Sequence, residues 1–235
     1  MQLNQYFSET DNSFEFTRQQ ASDFAKKVAG DFNPIHDVES KRFCVPGDLL
    51  FAVLLSKTGI SHKMHFDFAG MVSSGTPLHI NHTAEGEYSL SDDNDKQYLH
   101  VKRSGEKNLE PEFIEHVVKQ YVQFSGMNFP HIMVPLMEEK QLMINCQRPL
   151  VIYESMDLEF TRLDLSAPSV EFTGATMDIE GKRGLVKLNF KFIENGEEVG
   201  HGTKRMIATG LKAYDQAAID DLVDRFTALK ENYTA

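Results

Sequence analysis

Hydrophobic and polar positions along the chain repeat one order of elements twice: a short helical run, a more apolar helix, then a train of strands. In the first block, Phe14 and Phe16 alternate with Glu15 and Thr17, a period of two that predicts a short strand. Residues 1–13 before it are polar and read as loosely attached. Ala21 to Ala29 has helical spacing and stops at Gly30, which suits the left-handed turn after a helix. Leu49, Leu50, Val53 and Leu54 form a stripe, and Phe51 and Leu55 widen it, so this second helix is buried on nearly all sides. Pro46 opens that helix and Thr58-Gly59 closes it. Strands are predicted over His65–Ser73, Thr76–His82, Glu85–Ser91 and Gln97–Ser104, with the acidic turn Asp92-Asp93-Asn94-Asp95 before the last.

Residues 105–112 are charged, carry Pro111 and read as a linker. The second block opens with a helix over Phe113–Phe124, and Pro135–Ile144 is taken as the partner of the buried helix. Met133, Met137 and Met143 are read as adaptable core filling. Long strands follow over Pro149–Arg162, Ser169–Ile179, Leu185–Glu194 and Glu198–Thr209. Glu194-Asn195-Gly196-Glu197 has hairpin-turn chemistry. Residues 213–232 are predicted to form an amphipathic helix with Ala217, Ile219, Leu222, Val223, Phe226 and Leu229 on its apolar side, suited to the outside of a sheet or to an oligomer face.

Sliding the chain by 96 residues places Gly30 on Gly126 and Pro34 on Pro130, each glycine ending a helix. A fixed-offset match points to internal duplication. It also sets Asp31, Asn33 and His36 of the first copy against Met127, Phe129 and Ile132 of the second. Proton chemistry therefore belongs to the first copy, and the second reads as structural. Three units follow: 1–108 with the Asp/His segment, 109–212 without it, and the terminal helix at 213–235.

Charge narrows the partners. The net charge of −11 argues against a phosphate-backbone binder, and no nucleic-acid partner is expected. The basic pairs Lys41-Arg42, Lys102-Arg103, Lys182-Arg183 and Lys204-Arg205 read mostly as solvated. No apolar run has membrane-spanning length and no signal peptide is visible, which suggests a cytoplasmic protein with no membrane partner. Cys44 and Cys146 give no disulfide framework. His79 and His82 would point to opposite faces of a strand, so no metal site is expected. No cofactor is expected either.

The segment richest in chemistry is Gly30-Asp31-Phe32-Asn33-Pro34-Ile35-His36, followed by Pro46-Gly47 at a helix start. Pro34 keeps Asn33 out of helical geometry, so the segment turns and can aim a carboxylate and an imidazole at one point. It resembles the hydratase motif of the MaoC-like hot-dog fold family, the (R)-specific enoyl-CoA hydratases. Asp31, Asn33, Pro34 and His36 match that motif without a gap, and Gly47 falls at its helix-start glycine. The histidine that normally precedes the glycine is Pro46 here. The match covers residues 16–55; beyond them only the general strand pattern agrees.

That resemblance implies an α+β double hot dog, two helix-plus-antiparallel-sheet repeats forming one pseudo-dimer, which leaves room for a further homodimer of double hot dogs. It implies a lyase that adds water to a 2-enoyl thioester carried by coenzyme A or acyl carrier protein. Asp31 and His36 would be the acid–base pair, Gly47 N–H the oxyanion donor and Asn33 a positioning residue. The sequence leaves open which of Asp31 and His36 takes the proton from water. Two alternatives stand beside it: a non-catalytic binder of acyl-CoA or fatty acyl chains, favoured by Pro46, and a hot-dog thioesterase. A bland reading, in which Asp31 caps a turn and His36 satisfies a carbonyl, is less favoured because the whole motif is present.

Overall fold

The computed structural model describes residues 2–146 and 150–233. Two short strands, β1 (Ser8–Glu9) and β2 (Phe14–Glu15), precede α1 (Arg18–Asp23), whose winding widens into a π-helical tail at Phe24–Ala29. Then come α2 (Gly47–Thr58), β3 (Ile60–Phe68), β4 (His79–Ala84), β5 (Glu87–Ser91) and β6 (Gln97–Asn108). The second half holds α3 (Pro111–Gly126), a π-helical turn at Phe129–Met133, α4 (Val134–Lys140), β7 (Leu142–Met143), β8 (Val151–Phe160), β9 (Ser169–Glu180), β10 (Arg183–Glu194), β11 (Glu197–Thr209), β12 (Lys212–Ala213) and α5 (Gln216–Glu231).

One antiparallel sheet carries eight strands in the order β4-β5-β6-β3-β8-β11-β10-β9. Reading outward from the centre, β3 corresponds to β8, β6 to β11, β5 to β10 and β4 to β9. Each half therefore has the same wiring, and the halves join where β3 pairs with β8 in the register Phe66 to Met156. With helices on one face of this continuous sheet, the architecture is a double hot dog.

Inward-facing residues follow the period of two that a half-buried sheet requires. On β10, Val186, Leu188, Phe190 and Phe192 are buried while the residues between them are more open. The hairpin to β11 turns on Asn195 and Gly196, both left-handed, as a primed turn demands. Against the sheet lies α2, whose Leu49 to Leu55 are all buried. Each fully buried Leu, Val or Phe contributes about 2 kcal/mol of apolar transfer free energy, which anchors this helix more firmly than its propensity does.

Several sequence expectations are corrected. The amino terminus is docked: Phe7 is buried, Leu3 and Tyr6 pack on the main core, and β1 pairs with β2. The first long strand starts at Ile60 instead of His65 and ends at Phe68, because Lys63 and His65 find carboxylates on β8 and can stand on a polar outer face. The next strand begins at His79 instead of Thr76. The segment read as a linker from residue 105 is still strand up to Asn108. The second apolar helix is α3, with Phe113, Ile114, Val117, Val118, Tyr121 and Val122 buried. The expected helix over Pro135–Ile144 is only α4, which buries Leu136 and Met137 and stops where Gln141 turns left-handed. Pro149, the expected start of the following strand, lies outside the described residues; the strand itself starts at Val151.

Candidate functional site

The Asp31–His36 segment is held by its own backbone logic. Gly30 takes the left-handed conformation at φ 68°, and Asp31 N–H donates back to Ala25 O at 2.8 Å. Asp31 Oδ1 accepts from Asn33 N–H at 2.9 Å, and Asn33 Oδ1 accepts from Ile35 N–H at 3.2 Å, two successive side-chain turns. Pro34–His36 then form a single 3₁₀ turn. His36 Nδ1 lies 2.7 Å from the Cys44 carbonyl, which can only accept, so Nδ1 carries the proton. In the neutral ring Nε2 is left with its lone pair, 3.6 Å from Asp31 Oδ2.

These groups face a cavity of about 800 Å³. Its wall includes the start of α2, where Gly47 N–H and Asp48 N–H precede the first intrahelical bond that Leu49 and Leu50 make to Pro46 O. Gly47 is needed for close approach. A Cβ there would stand 3.2 Å from the rings of both Phe68 and Tyr153, which stack at 3.9 Å. Cys44 also lines the cavity, and burial pushes its thiol up to about 11. Asn33, whose side chain is spent on Ile35, shapes the loop.

A second polar group under α2 escaped sequence reasoning. Ser125 Oγ donates to Asp48 Oδ2 at 2.5 Å and accepts from the Lys204 ammonium, which also lies 4.1 Å from the centre of the Tyr153 ring. Tyr153 and Tyr121 share a short hydroxyl hydrogen bond beside it. Asp48, Ser125 and Lys204 are all buried. Burial raises the Asp48 carboxyl against the opposing pull of Lys204 and Ser125, and burial lowers the Lys204 ammonium against Asp48 and Asp31. Asp48 Oδ1 and both amide atoms of Asn128 have no hydrogen-bond partner among the described residues. The signal in the sequence was parity: Lys204 shares the inward side of β11 with Gly202, Met206 and Ala208. Reading the Lys204-Arg205 pair as solvated is therefore wrong for Lys204, while Arg205 sits on the outer face with Asp157 at 2.6 Å.

The segment matched to the motif in the second half lines the same cavity through Gly126, Asn128 and Phe129, and Met133 follows beside them. The terminal helix does too, through Leu222, Arg225, Phe226 and Leu229. Phe226 packs against Phe32 at 6.1 Å and Phe129 at 5.8 Å, so α5 covers this cavity instead of lying outside the sheet. His79 bonds Asp93 and the Asn12 carbonyl, and His82 lies against Tyr88. Among the described residues no group of three or more His, Cys, Asp and Glu is arranged to hold a metal ion, and no helix is long and apolar enough to cross a membrane.

Comparison with known proteins gives a family and distant likenesses. A family model described as "Protein of unknown function (DUF3581)" matches residues 1–217. No curated protein matches the sequence. Among solved structures, an acyl-CoA thioesterase II TesB2 from Mycobacterium marinum is similar at 11% identity and a TM-score of 0.48, covering 92% of this chain and 100% of that one. A MaoC-like dehydratase is similar at 10% identity and a TM-score of 0.45, covering 88% of this chain and 99% of that one. A conserved protein with a hot-dog fold from Alicyclobacillus acidocaldarius is similar at 8% identity and a TM-score of 0.47, covering 92% and 99%.

Proposed function

The chain belongs to the DUF3581 family, and we propose that it is a hydratase-like lyase acting on a 2-enoyl thioester of coenzyme A or acyl carrier protein. The observation that carries this reading is the approach of His36 Nε2 to within 3.6 Å of Asp31 Oδ2 on the wall of a large cavity, beside the bare start of α2. The corresponding residues of the second half, Met127, Phe129 and Ile132, offer no such pair.

A water held between the two groups attacks C3 of the enoyl chain. Its proton passes to one member of the pair, and C2 receives a proton from the acid form of the pair, so one water is added in all. Asp31 and His36 share these two tasks in either order. Negative charge that gathers on the thioester oxygen meets Gly47 N–H at the positive end of α2. Asn33 holds the loop so that Asp31 and His36 converge. The acyl chain runs along Phe68, Ile144 and Phe226, which line the same cavity.

Pro46, in place of the motif histidine, favours a second reading: an acyl-thioester binder without turnover. One assay separates the two. Purified protein is offered 2-enoyl-CoAs from crotonyl upward, with loss of enoyl absorbance and thiol release followed together. Loss of absorbance that vanishes in Asp31→Asn and His36→Ala supports hydration. Thiol release reassigns the site to thioester hydrolysis, and tight binding with neither signal reassigns it to a binding protein.

A further inference from the structure

Asp48 poses a problem for the site as described. It is the residue after Gly47, it is buried, and a bare carboxylate there would oppose the negative charge gathering at Gly47 N–H. In a low-dielectric wall that opposition is strong, because solvent cannot screen it. The chain answers with two residues from its other half. Lys204, inward on β11, donates to Ser125 Oγ, and Ser125, at the end of α3, donates to Asp48 Oδ2. The ammonium also faces Tyr153, whose ring is one of the two that approach Gly47.

We propose that Lys204 is a positioning residue for the reaction, acting through Ser125 to offset the Asp48 charge and so keep the start of α2 receptive to an anionic oxygen. This rests on the hydration reading above and deepens it. On this view the carboxy-terminal half, which has no acid–base pair of its own, completes the site of the amino-terminal half. The other charged or titratable groups around the ammonium are Asp31 and His36 on the motif loop and the paired hydroxyls of Tyr121 and Tyr153. The acids whose charges favour the Lys204 ammonium are Asp48 and Asp31.

The test compares kcat and KM for 2-enoyl-CoA hydration in wild type, Lys204→Met, Asp48→Asn and the double variant. Lys204→Met should lower kcat about a hundredfold, the scale of losing one oxyanion-stabilising group, while KM changes less than about threefold. Measured against wild type at the same pH, so that titration of Asp31 and His36 cancels, the loss should narrow as the pH falls, since Asp48 then takes a proton. The double variant, with neither charge, should return kcat to within about tenfold of wild type, and it remains informative if Lys204→Met alone fails to fold. Full activity in Lys204→Met, or a double variant as slow as the single, overturns this inference and leaves the hydration reading standing. A wild type inert toward every 2-enoyl-CoA overturns both.

Discussion

Gly126 sits so close to the motif helix that a Cβ on it would lie 2.0 Å from the carbonyl oxygen of Ala29 and 3.1 Å from Asp31 N. The end of α3 thus presses on the backbone that aims Asp31. Gly126→Ala should push the Ala29–Asp31 turn away, at a cost of about 1–3 kcal/mol for overpacking. Urea unfolding checks the cost. The 2-enoyl-CoA turnover proposed above should fall further than stability explains, because Asp31 and His36 would no longer meet.

Asn128 has a buried side chain with both amide atoms unpartnered among the described residues. Removing such a group is cheap, and an apolar side chain of similar shape removes the desolvation cost. Asn128→Leu should therefore leave Tm unchanged or raise it by a few degrees in a thermal scan. A fall of several degrees would mean that the amide has a partner in solution.

His65 spans the seam between the halves. Nδ1 lies 2.6 Å from Asp157 Oδ1 on β8 and Nε2 lies 3.1 Å from Asp67 Oδ1 on β3, an arrangement that suits the doubly protonated ring. Burial alone would lower its pKa, but the bonds to Asp157 and Asp67 outweigh that and raise it above the ordinary 6.5. A raised folded-state value means that this contribution is fully present below pH 6.5 and is lost as pH climbs through the folded value. Thermal scans between pH 6 and 8.5 should show wild type losing more stability than His65→Asn, with a smaller difference in high salt because the ring is partly solvated.

Phe226 holds α5 over the cavity through edge contacts with Phe32 and ring contact with Phe129. Two aromatic pairs contribute about 1–3 kcal/mol in all beyond the area they bury. Phe226→Ala should loosen α5 and, on the function proposed above, weaken acyl-CoA binding about tenfold, mostly through faster dissociation, as stopped-flow release would show.

Cys44, with its thiol pushed up to about 11 by burial, should resist iodoacetamide at pH 8 in the folded protein and react once the chain is unfolded. Mass spectrometry of the alkylated peptide distinguishes the two states.

Local rules made α2, the Gly30 turn and the Asn195-Gly196 hairpin legible, because each depends on residues within a few positions. Lys63 and His65 hid the start of β3, since their carboxylate partners Glu159 and Asp157 are distant in sequence. Gln141 ends α4 in a left-handed conformation that no glycine announces. The Asp31–His36 half of the site could be read because it is contiguous. Asp48, Ser125 and Lys204 come from three separate elements, and their meeting is decided by how the halves pack. An inward lysine on an otherwise apolar strand face was the one available sign.

The two segments related by the 96-residue offset share a wall of one cavity: Phe129 lines the same space that Asp31 and His36 face. Titration of a saturated acyl-CoA by calorimetry should accordingly saturate at one molecule per chain with a simple hyperbolic isotherm. On the reading proposed above, a symmetric pair of identical subunits could couple twin sites, whereas this polypeptide, with both halves on one cavity, would bind its acyl thioester without that coupling.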